Sequence, residues 1–130
     1  MKLIYFILIC SISQVYPLTP KELARPKVVN GEVAEEGQFP WLAHVRSLDG
    51  WVCTGSLIRE NWVLTAAHCV GSSTGYNITL GTVNWKEPSS NGVVITATED
   101  FPNEDYNPIT LHNDLALIKL PTNAPISECK

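Results

Sequence analysis

Two residues in this sequence combine chemical reactivity with a position beside an apolar segment. His68 lies in a Thr-Ala-Ala-His-Cys segment at the end of an apolar stretch, and Asp114 comes immediately before the apolar residues 115–120. A histidine and a carboxylate that meet can act as a general base. The carboxylate holds one ring nitrogen in its protonated form, and the other nitrogen is then free to accept a proton. A single histidine in such a place is more often structural, so spacing alone leaves both interpretations of His68 open.

The same two residues also raise the question of a metal site, with His112 as a third candidate ligand. His68, His112 and Asp114 lack the regular ligand spacing that is typical of metal sites, so this interpretation is weaker than the general base. We therefore expect neither a metal nor another cofactor.

Residues 1–13 have the pattern of a secretory signal. Lys2 supplies a positive start, residues 3–10 are apolar, and Ser11 and Ser13 follow. The apolar run is too short to span a bilayer, and no later stretch is long and apolar enough for a membrane anchor. We expect the signal to be removed and the protein to be secreted.

Secretion changes how the four cysteines are interpreted, because disulfides form in oxidising compartments. Cys10 lies within the signal, which leaves Cys53, Cys69 and Cys129. Two of these three can pair, and the third needs a partner on another chain or in a segment absent from this one. The sequon Asn-Ile-Thr that begins at Asn77 is a candidate N-glycosylation site.

The charge distribution gives no indication of a nucleic-acid or membrane partner. The 13 acidic and 9 basic residues form no cluster, whereas binding to a nucleic acid or an anionic membrane would need a basic stripe.

Residues 14–27 contain three prolines and no hydrophobic periodicity, so we expect an extended, accessible arm. The arm ends at Lys27, directly before the apolar Val28. This is a candidate proteolytic site, although an incidental lysine in a linker has the same pattern.

Beyond Gly37 the sequence predicts short β-strands around the histidine and the aspartate. The six predicted strands cover residues 41–46, 51–58, 62–65, 76–83, 93–98 and 115–120. They are rich in β-branched and aromatic residues, and turn-forming residues separate them. This spacing is typical of an antiparallel sandwich or barrel. The one predicted helical element is a single turn at residues 66–69.

Five segments, two of which contain His68 and Asp114, follow one another along the chain. They are Val28-Val29-Asn30-Gly31, Gln38-Phe39-Pro40-Trp41, Cys53-Thr54-Gly55-Ser56-Leu57-Ile58, Trp62-Val63-Leu64-Thr65-Ala66-Ala67-His68-Cys69 and Asn113-Asp114-Leu115-Ala116-Leu117-Ile118. Together they resemble the trypsin/chymotrypsin family of serine endopeptidases, over about residues 27–121. The resemblance implies an all-β fold, a six-stranded antiparallel Greek-key barrel that is the first barrel of the chymotrypsin-like double-barrel architecture.

The resemblance also implies roles for the reactive residues. His68 matches the family's general base and acid, and Asp114 matches the carboxylate that orients it. Cys53 and Cys69 match the disulfide that closes the histidine loop, which leaves Cys129 unpaired.

Activation by proteolysis is a further implication of the resemblance. The bond between Lys27 and Val28 matches the family's zymogen cleavage site, which implies an activating trypsin-like protease. Residues 14–27 then form a propeptide, and residues 28–130 form a truncated trypsin-like domain. Asn30 replaces the glycine that is more usual in the family, and the same turn should tolerate this difference.

The family's nucleophilic serine lies in a Gly-Asp-Ser-Gly-Gly segment, which does not occur in this sequence. The serines present, Ser56 in a strand and Ser72, Ser73, Ser89 and Ser90 in loops, are not placed by a motif to attack a carbonyl. Loss of the triad serine costs on the order of 10⁶ in turnover in a comparable protease, so we expect this chain to be inactive alone.

Two functions remain open at this stage. The chain could be part of a secreted serine endopeptidase that acts on peptide or protein substrates and is subject to a protease inhibitor. Alternatively, it could be a non-catalytic secreted homologue that acts as a binding module. The family's specificity pocket lies in the half that this sequence does not contain, so cleavage specificity is not predicted.

Overall fold

A computed structural model of the protein describes residues 31–88 and 92–125. The predicted signal and propeptide, the Lys27–Val28 bond and Cys129 lie outside the described residues. The chain divides into two units, Met1–Val33 and Ala34–Lys130. All of the strands belong to the second unit.

Seven antiparallel strands and one short 3-10 turn make up this unit. The strands are β1 (Leu42–Ser47), β2 (Val52–Arg59), β3 (Trp62–Thr65), β4 (Tyr76–Leu80), β5 (Val93–Ala97), β6 (Glu99–Pro102) and β7 (Ala116–Lys119). The 3-10 turn, Ala67–Cys69, directly follows β3 and is called the histidine turn below. The predicted all-β fold is confirmed, and the predicted helical turn is present.

The strands form a single sheet in the order β5-β4-β1-β2-β3-β7-β6. Within it, β4 lies beside β1 and the consecutive strands β1, β2 and β3 follow, which is the spatial order of a Greek key. The outermost strands, β5 and β6, are separated along the chain by Thr98 alone. One nearly continuous segment therefore pairs with β4 through its first half and with β7 through its second half, so that the sheet curls back on itself.

This arrangement explains why the structure has seven strands where six were predicted. The predicted strand at residues 93–98 continues as β6, and Asp100 and Phe101 pair with Ile118 and Leu117 of β7. The alternating pattern ended before β6 because Glu99 and Asp100 are charged. The antiparallel barrel itself is confirmed.

The core of the barrel is built mainly from buried side chains of the strands. In β1 the inward positions are Ala43, Val45 and Ser47, all of them buried. The largest fully buried side chains are Tyr76, Ile78, Ile118, Leu120, Val45 and Val63. Burying a large aliphatic or aromatic side chain is worth about 1.5–3 kcal/mol, so this core stabilises the strands that carry the site.

Gly55 allows β2 to approach β3 closely. A Cβ atom at this position would lie 2.7 Å from Cγ1 of Val63 and 2.8 Å from the carbonyl oxygen of Leu64. Both distances are well below van der Waals contact, so any side chain here would push the two strands apart.

Within the described residues, no helix has the length and apolar character needed to cross a membrane.

Candidate functional site

The histidine turn carries His68 at the end of β3. Ala66 has an extended backbone, and the N–H groups of Cys69 and Val70 then donate to the carbonyl oxygens of Ala66 and Ala67 at 3.1 Å each. Ala67 is buried, and its small side chain lets the turn pack against the barrel. The His68 side chain, by contrast, is 55% exposed.

Pairing between β3 and β7 brings Asp114 to His68, although 46 positions separate them along the chain. Thr65 lies opposite Ala116 in the sheet, so the residues just after β3 meet those just before β7. Asn113 adopts a positive φ of 55°, which asparagine tolerates better than most residues. Its side-chain amide donates to the carbonyl oxygen of Asp105 at 3.1 Å, which holds the loop before Asp114 in place.

Asp114 accepts two hydrogen bonds from His68. Oδ2 accepts from ring atom Nδ1 at 2.7 Å, and Oδ1 accepts from the backbone N–H of His68 at 2.9 Å. The hydrogen bond from the His68 ring, followed by the one from its backbone N–H, lowers the pKa of Asp114. The carboxylate is thus held in its charged form, with the imidazole in a fixed orientation.

The second ring nitrogen of His68 points toward the disulfide. Nε2 lies 3.4 Å from Sγ of Cys69. When Nδ1 carries the proton that it donates to Asp114, Nε2 has a free lone pair, and a disulfide sulfur has no proton to give it. This arrangement can accept a proton from a nearby hydroxyl or coordinate a metal ion.

A disulfide joins Cys53 of β2 to Cys69 of the histidine turn, with 6.2 Å between their Cα atoms. The family resemblance implied this pairing. Because the bond anchors the turn to a central strand, it limits how far the turn carrying His68 can move.

A partly buried hydrogen-bond network joins β4 and β6 to Gly71, just after the histidine turn, and the sequence did not point to it. The Tyr76 hydroxyl donates to Oδ2 of Asp100 at 2.7 Å and accepts from the backbone N–H of Gly71 at 3.1 Å. Burial, and next the hydrogen bond to Asp100, raises the pKa of Tyr76 to about 12. The sequence offered no signal for this network, because Asp100 lies beyond the predicted strand at residues 93–98.

A second unpredicted feature is a cavity of about 380 Å³ beside β1. Its walls include His44 and Trp85, whose rings stack with their centroids 4.2 Å apart. Burial, and next the charge of Arg46, lowers the pKa of His44. The cavity is lined mainly by apolar side chains and shares no residue with the His68–Asp114 pair.

The structure separates the other candidate residues from this pair. Asn77 lies on β4, where Oδ1 of its half-buried side chain accepts from the Thr96 hydroxyl at 2.9 Å, and its glycosylation remains a prediction. His112 pairs with Asn107 in a short β-bridge. In the described part of the chain, the only cluster of three metal-ligating side chains is Cys53, His68 and Cys69, which does not include His112.

The serines of the described residues do not complete a catalytic site. Ser56 lies in β2, and Ser73 donates to the carbonyl oxygen of Gly75 in the loop before β4. Among the described residues, the side-chain partners of His68 are Asp114 and Cys69, and no serine is among them. Among the described residues, the imidazole of His68 is therefore paired with a carboxylate, and no serine hydroxyl contacts it.

Comparison with known proteins gives the same residues a family context. The family model described as Trypsin matches residues 28–129. Among curated proteins, duodenase-1 of Bos taurus is 40% identical over 105 residues, which cover 78% of this chain and 41% of duodenase-1. Granzyme B of Rattus norvegicus is 37% identical over 113 residues, covering 84% of this chain and 44% of that protein.

Complement factor I of Rattus norvegicus is a third similar protein, 34% identical over 110 residues, which cover 83% of this chain and 18% of complement factor I. The chain therefore spans less than half the length of each of these relatives.

Proposed function

This chain belongs to the trypsin family of serine proteases, and from that membership we propose that it carries the histidine and the carboxylate of a serine endopeptidase's catalytic apparatus. Family membership rests on the match over residues 28–129. The observation that supports the proposal is the pair of hydrogen bonds, 2.7 Å and 2.9 Å long, that Asp114 accepts from His68.

In this mechanism, His68 acts first as a base and then as an acid. Nε2 accepts the proton of a serine hydroxyl as the serine oxygen attacks the carbonyl carbon of a peptide bond. The resulting imidazolium then donates that proton to the departing amine. Asp114 remains ionised throughout, keeps the proton on Nδ1 and stabilises the charged ring.

This sequence contains no Gly-Asp-Ser-Gly-Gly segment, and we propose that the attacking serine and the oxyanion hole are supplied from outside its 130 residues. We propose that the chain alone is inactive, because removal of the serine from a comparable triad costs on the order of 10⁶ in turnover. The substrates of the complete protein are proposed to be peptides or proteins, and protease inhibitors are proposed as further partners.

Secretion and activation by cleavage also form part of the proposal. Residues 1–13 would direct export, and a trypsin-like protease would cut the bond between Lys27 and Val28. N-terminal sequencing of the secreted material tests both steps, because the mature protein should begin at Val28. A secreted protein that still begins near residue 14 after exposure to trypsin would contradict activation at this bond.

The decisive test starts from the transcript. If the reading frame continues into a Gly-Asp-Ser-Gly-Gly segment, the complete product is expressed, activated and assayed on a peptide ester. We expect His68→Ala to lower kcat by about 10⁶ and Asp114→Asn by about 10⁴ at neutral pH. Asp105→Asn is the matched control, since this exposed aspartate lies in the loop before Asp114 and should leave kcat unchanged. Equal losses in all three variants would contradict the assigned roles.

A second candidate function is a non-catalytic binding module. Several large apolar side chains of the second unit are exposed, among them Phe39 at 48%, Trp41 at 52% and Leu115 at 55%. Exposed apolar groups of this kind favour association with another protein surface. A genuine stop codon after Lys130 supports this function, whereas a reading frame that continues into a Gly-Asp-Ser-Gly-Gly segment contradicts it.

A further inference from the structure

A second cavity, of about 420 Å³ and called the outer cavity below, lies on the outer face of the sheet where β1, β4 and β5 pair. Side chains of a strand alternate between the two faces of a sheet. Val45 and Ile78 are buried in the core, so their neighbours Arg46 and Asn77 point outward. The residues of the lining that matter here are Arg46, Asn77, Thr79, Trp85, Lys86 and Val94.

Both polar residues of the sequon Asn77-Ile78-Thr79 belong to this lining. Ile78 points into the core, so the strand places Asn77 and Thr79 together on the outer face. Oδ1 of Asn77 accepts from the Thr96 hydroxyl at 2.9 Å. Nδ2, the atom that carries an N-linked glycan, has no hydrogen-bond partner among the described residues. The attachment atom is therefore unengaged at the wall of the outer cavity.

The remaining lining matches the two kinds of surface that a sugar ring presents. Its hydroxyl groups need hydrogen-bond partners, and Arg46 and Lys86 supply donors that form no ion pair within the described part of the chain. Its C–H groups form an apolar face, and the ring of Trp85 offers a surface of negative potential on which such groups pack. Val94 adds further apolar contact.

Trp85 is held in place for this contact by His44 of β1. Their rings are nearly parallel, at 11°, with centroids 4.2 Å apart. The ammonium of Lys86 lies 5.5 Å from the centre of the indole ring. Trp85 nevertheless remains 38% exposed, so part of its surface is left for a further partner.

A sugar attached to Asn77 needs only weak contacts to occupy the cavity. A free sugar would lose its translational and rotational freedom on binding, whereas a tethered sugar has a high effective concentration at the site. The volume of about 420 Å³ lies within the range of about 300–1,000 Å³ that is typical of small-molecule sites. The tether therefore identifies which molecule fills this cavity.

We propose that Asn77 carries an N-linked oligosaccharide whose first N-acetylglucosamine residue packs in the outer cavity against Trp85. The oligosaccharide comes from a lipid diphosphate carrier. The bond between Nδ2 and C1 of the sugar forms, the bond between C1 and the diphosphate oxygen breaks, and Nδ2 gives up one proton. Asn77 is paired in the sheet with Arg46 and with Thr96, so the transfer precedes the pairing of β4 with its neighbours.

This modification rests on the secretion that forms part of the proposed function, and the test separates the two. The chain is expressed twice in cells that add high-mannose glycans, once complete and once with a foreign secretion signal in place of residues 1–13. If only the second chain reaches the medium, secretion by residues 1–13 is contradicted, and Asn77 is tested on the second chain. A secreted chain without a glycan contradicts the modification and leaves secretion intact.

Mass spectrometry should find one glycan per chain, which Thr79→Ala abolishes and Thr79→Ser retains. Thermal melts then compare three forms of the secreted chain: the intact glycoprotein, a form trimmed enzymatically to the first sugar, and a form stripped of all sugar. The trimmed form should melt like the intact one, because the first sugar makes the contact. The stripped form should melt lower, by about 4 °C or more.

Contact with Trp85 is tested by a matched pair of variants. Trp85→Ala should remove the difference in melting temperature between the trimmed and stripped forms. Val83→Ala should retain it, since Val83 lies on the same loop and does not line the outer cavity.

Nuclear magnetic resonance tests the same contact without a variant. The N-acetyl methyl signal of the trimmed wild type should be shifted upfield by an indole ring. A methyl signal at its ordinary position, or equal melting of the trimmed and stripped forms, would overturn the packing of the sugar against Trp85. Absence of a glycan from the secreted chain would overturn the whole proposal.

Discussion

Tyr76 is a fully buried residue whose hydroxyl joins three parts of the fold. It donates to Asp100 of β6 and accepts from the N–H of Gly71, which follows the histidine turn. Replacing Tyr76 with phenylalanine keeps the ring in the core and removes only these hydrogen bonds. A hydrogen bond to a charged group contributes about 1.5–3 kcal/mol, so we expect Tyr76→Phe to lower the free energy of unfolding by about 2–3 kcal/mol near neutral pH.

Ionisation of the Tyr76 phenol makes the free energy of unfolding depend on pH. The pKa of Tyr76 is raised from 10.0 to about 12 in the folded protein. Below pH 10 the phenol is protonated in both the folded and the unfolded chain, so its stabilising effect is complete. As pH rises from 10 toward 12, the unfolded chain loses the proton first, and the wild type loses about 3 kcal/mol of stability.

The assay is urea unfolding of both proteins, near neutral pH and again close to pH 12. The stability difference between wild type and Tyr76→Phe should be large at neutral pH and should shrink toward zero at the alkaline end. Tyr106→Phe, which removes a hydroxyl outside this network, is the control and should retain the alkaline loss. A difference of the same size at both pH values would refute the reasoning, since the buried phenol would then not be linked to the alkaline transition.

Three further predictions concern the site and the sheet. The pKa of Asp114 is lowered from 3.8, so its ionised form stabilises the folded chain above pH 3.8. This contribution is lost as the pH falls further. Thermal melts at decreasing pH should therefore show a weaker acid dependence for Asp114→Asn than for the wild type. Replacing both Cys53 and Cys69 with serine should cost about 3 kcal/mol in urea unfolding, and a loss near zero would mean that the disulfide does not restrict the unfolded chain. Gly55→Ala should lower the free energy of unfolding by about 1–3 kcal/mol, because its Cβ would lie 2.7 Å from Cγ1 of Val63. Unchanged stability would show that β2 and β3 can separate freely.

Much of the fold could be predicted because strands have local signatures. The alternation of apolar and polar residues in β1 is the burial pattern that the sheet shows. Strand β6 was not predicted, because Glu99 and Asp100 interrupt that alternation. Its place is determined by pairing with β7 and by the hydrogen bond from Tyr76 to Asp100, neither of which has a local signature.

The reactive residues divide in the same way between local and long-range information. His68, Asp114 and the two cysteines could be identified from short segments, because each lies in a segment that resembles a known family. In the sequence, the spacing of possible ligands was the only criterion for a metal site. That spacing did not indicate that Cys53, His68 and Cys69 lie close together. The cluster exists because the disulfide draws β2 and the histidine turn together.

By itself, the sequence determined the strand pattern, the family resemblance and the identity of the His–Asp pair, since all three depend on neighbouring residues. Only the tertiary structure decided that β5 continues into β6, that Tyr76 links Asp100 to Gly71, and that Nε2 of His68 faces a cysteine sulfur. These contacts join residues from separate strands and loops, and their distances depend on the register of every strand between them. Periodicity within one segment determines which face of a strand is buried, whereas closure of the sheet determines which distant side chains meet.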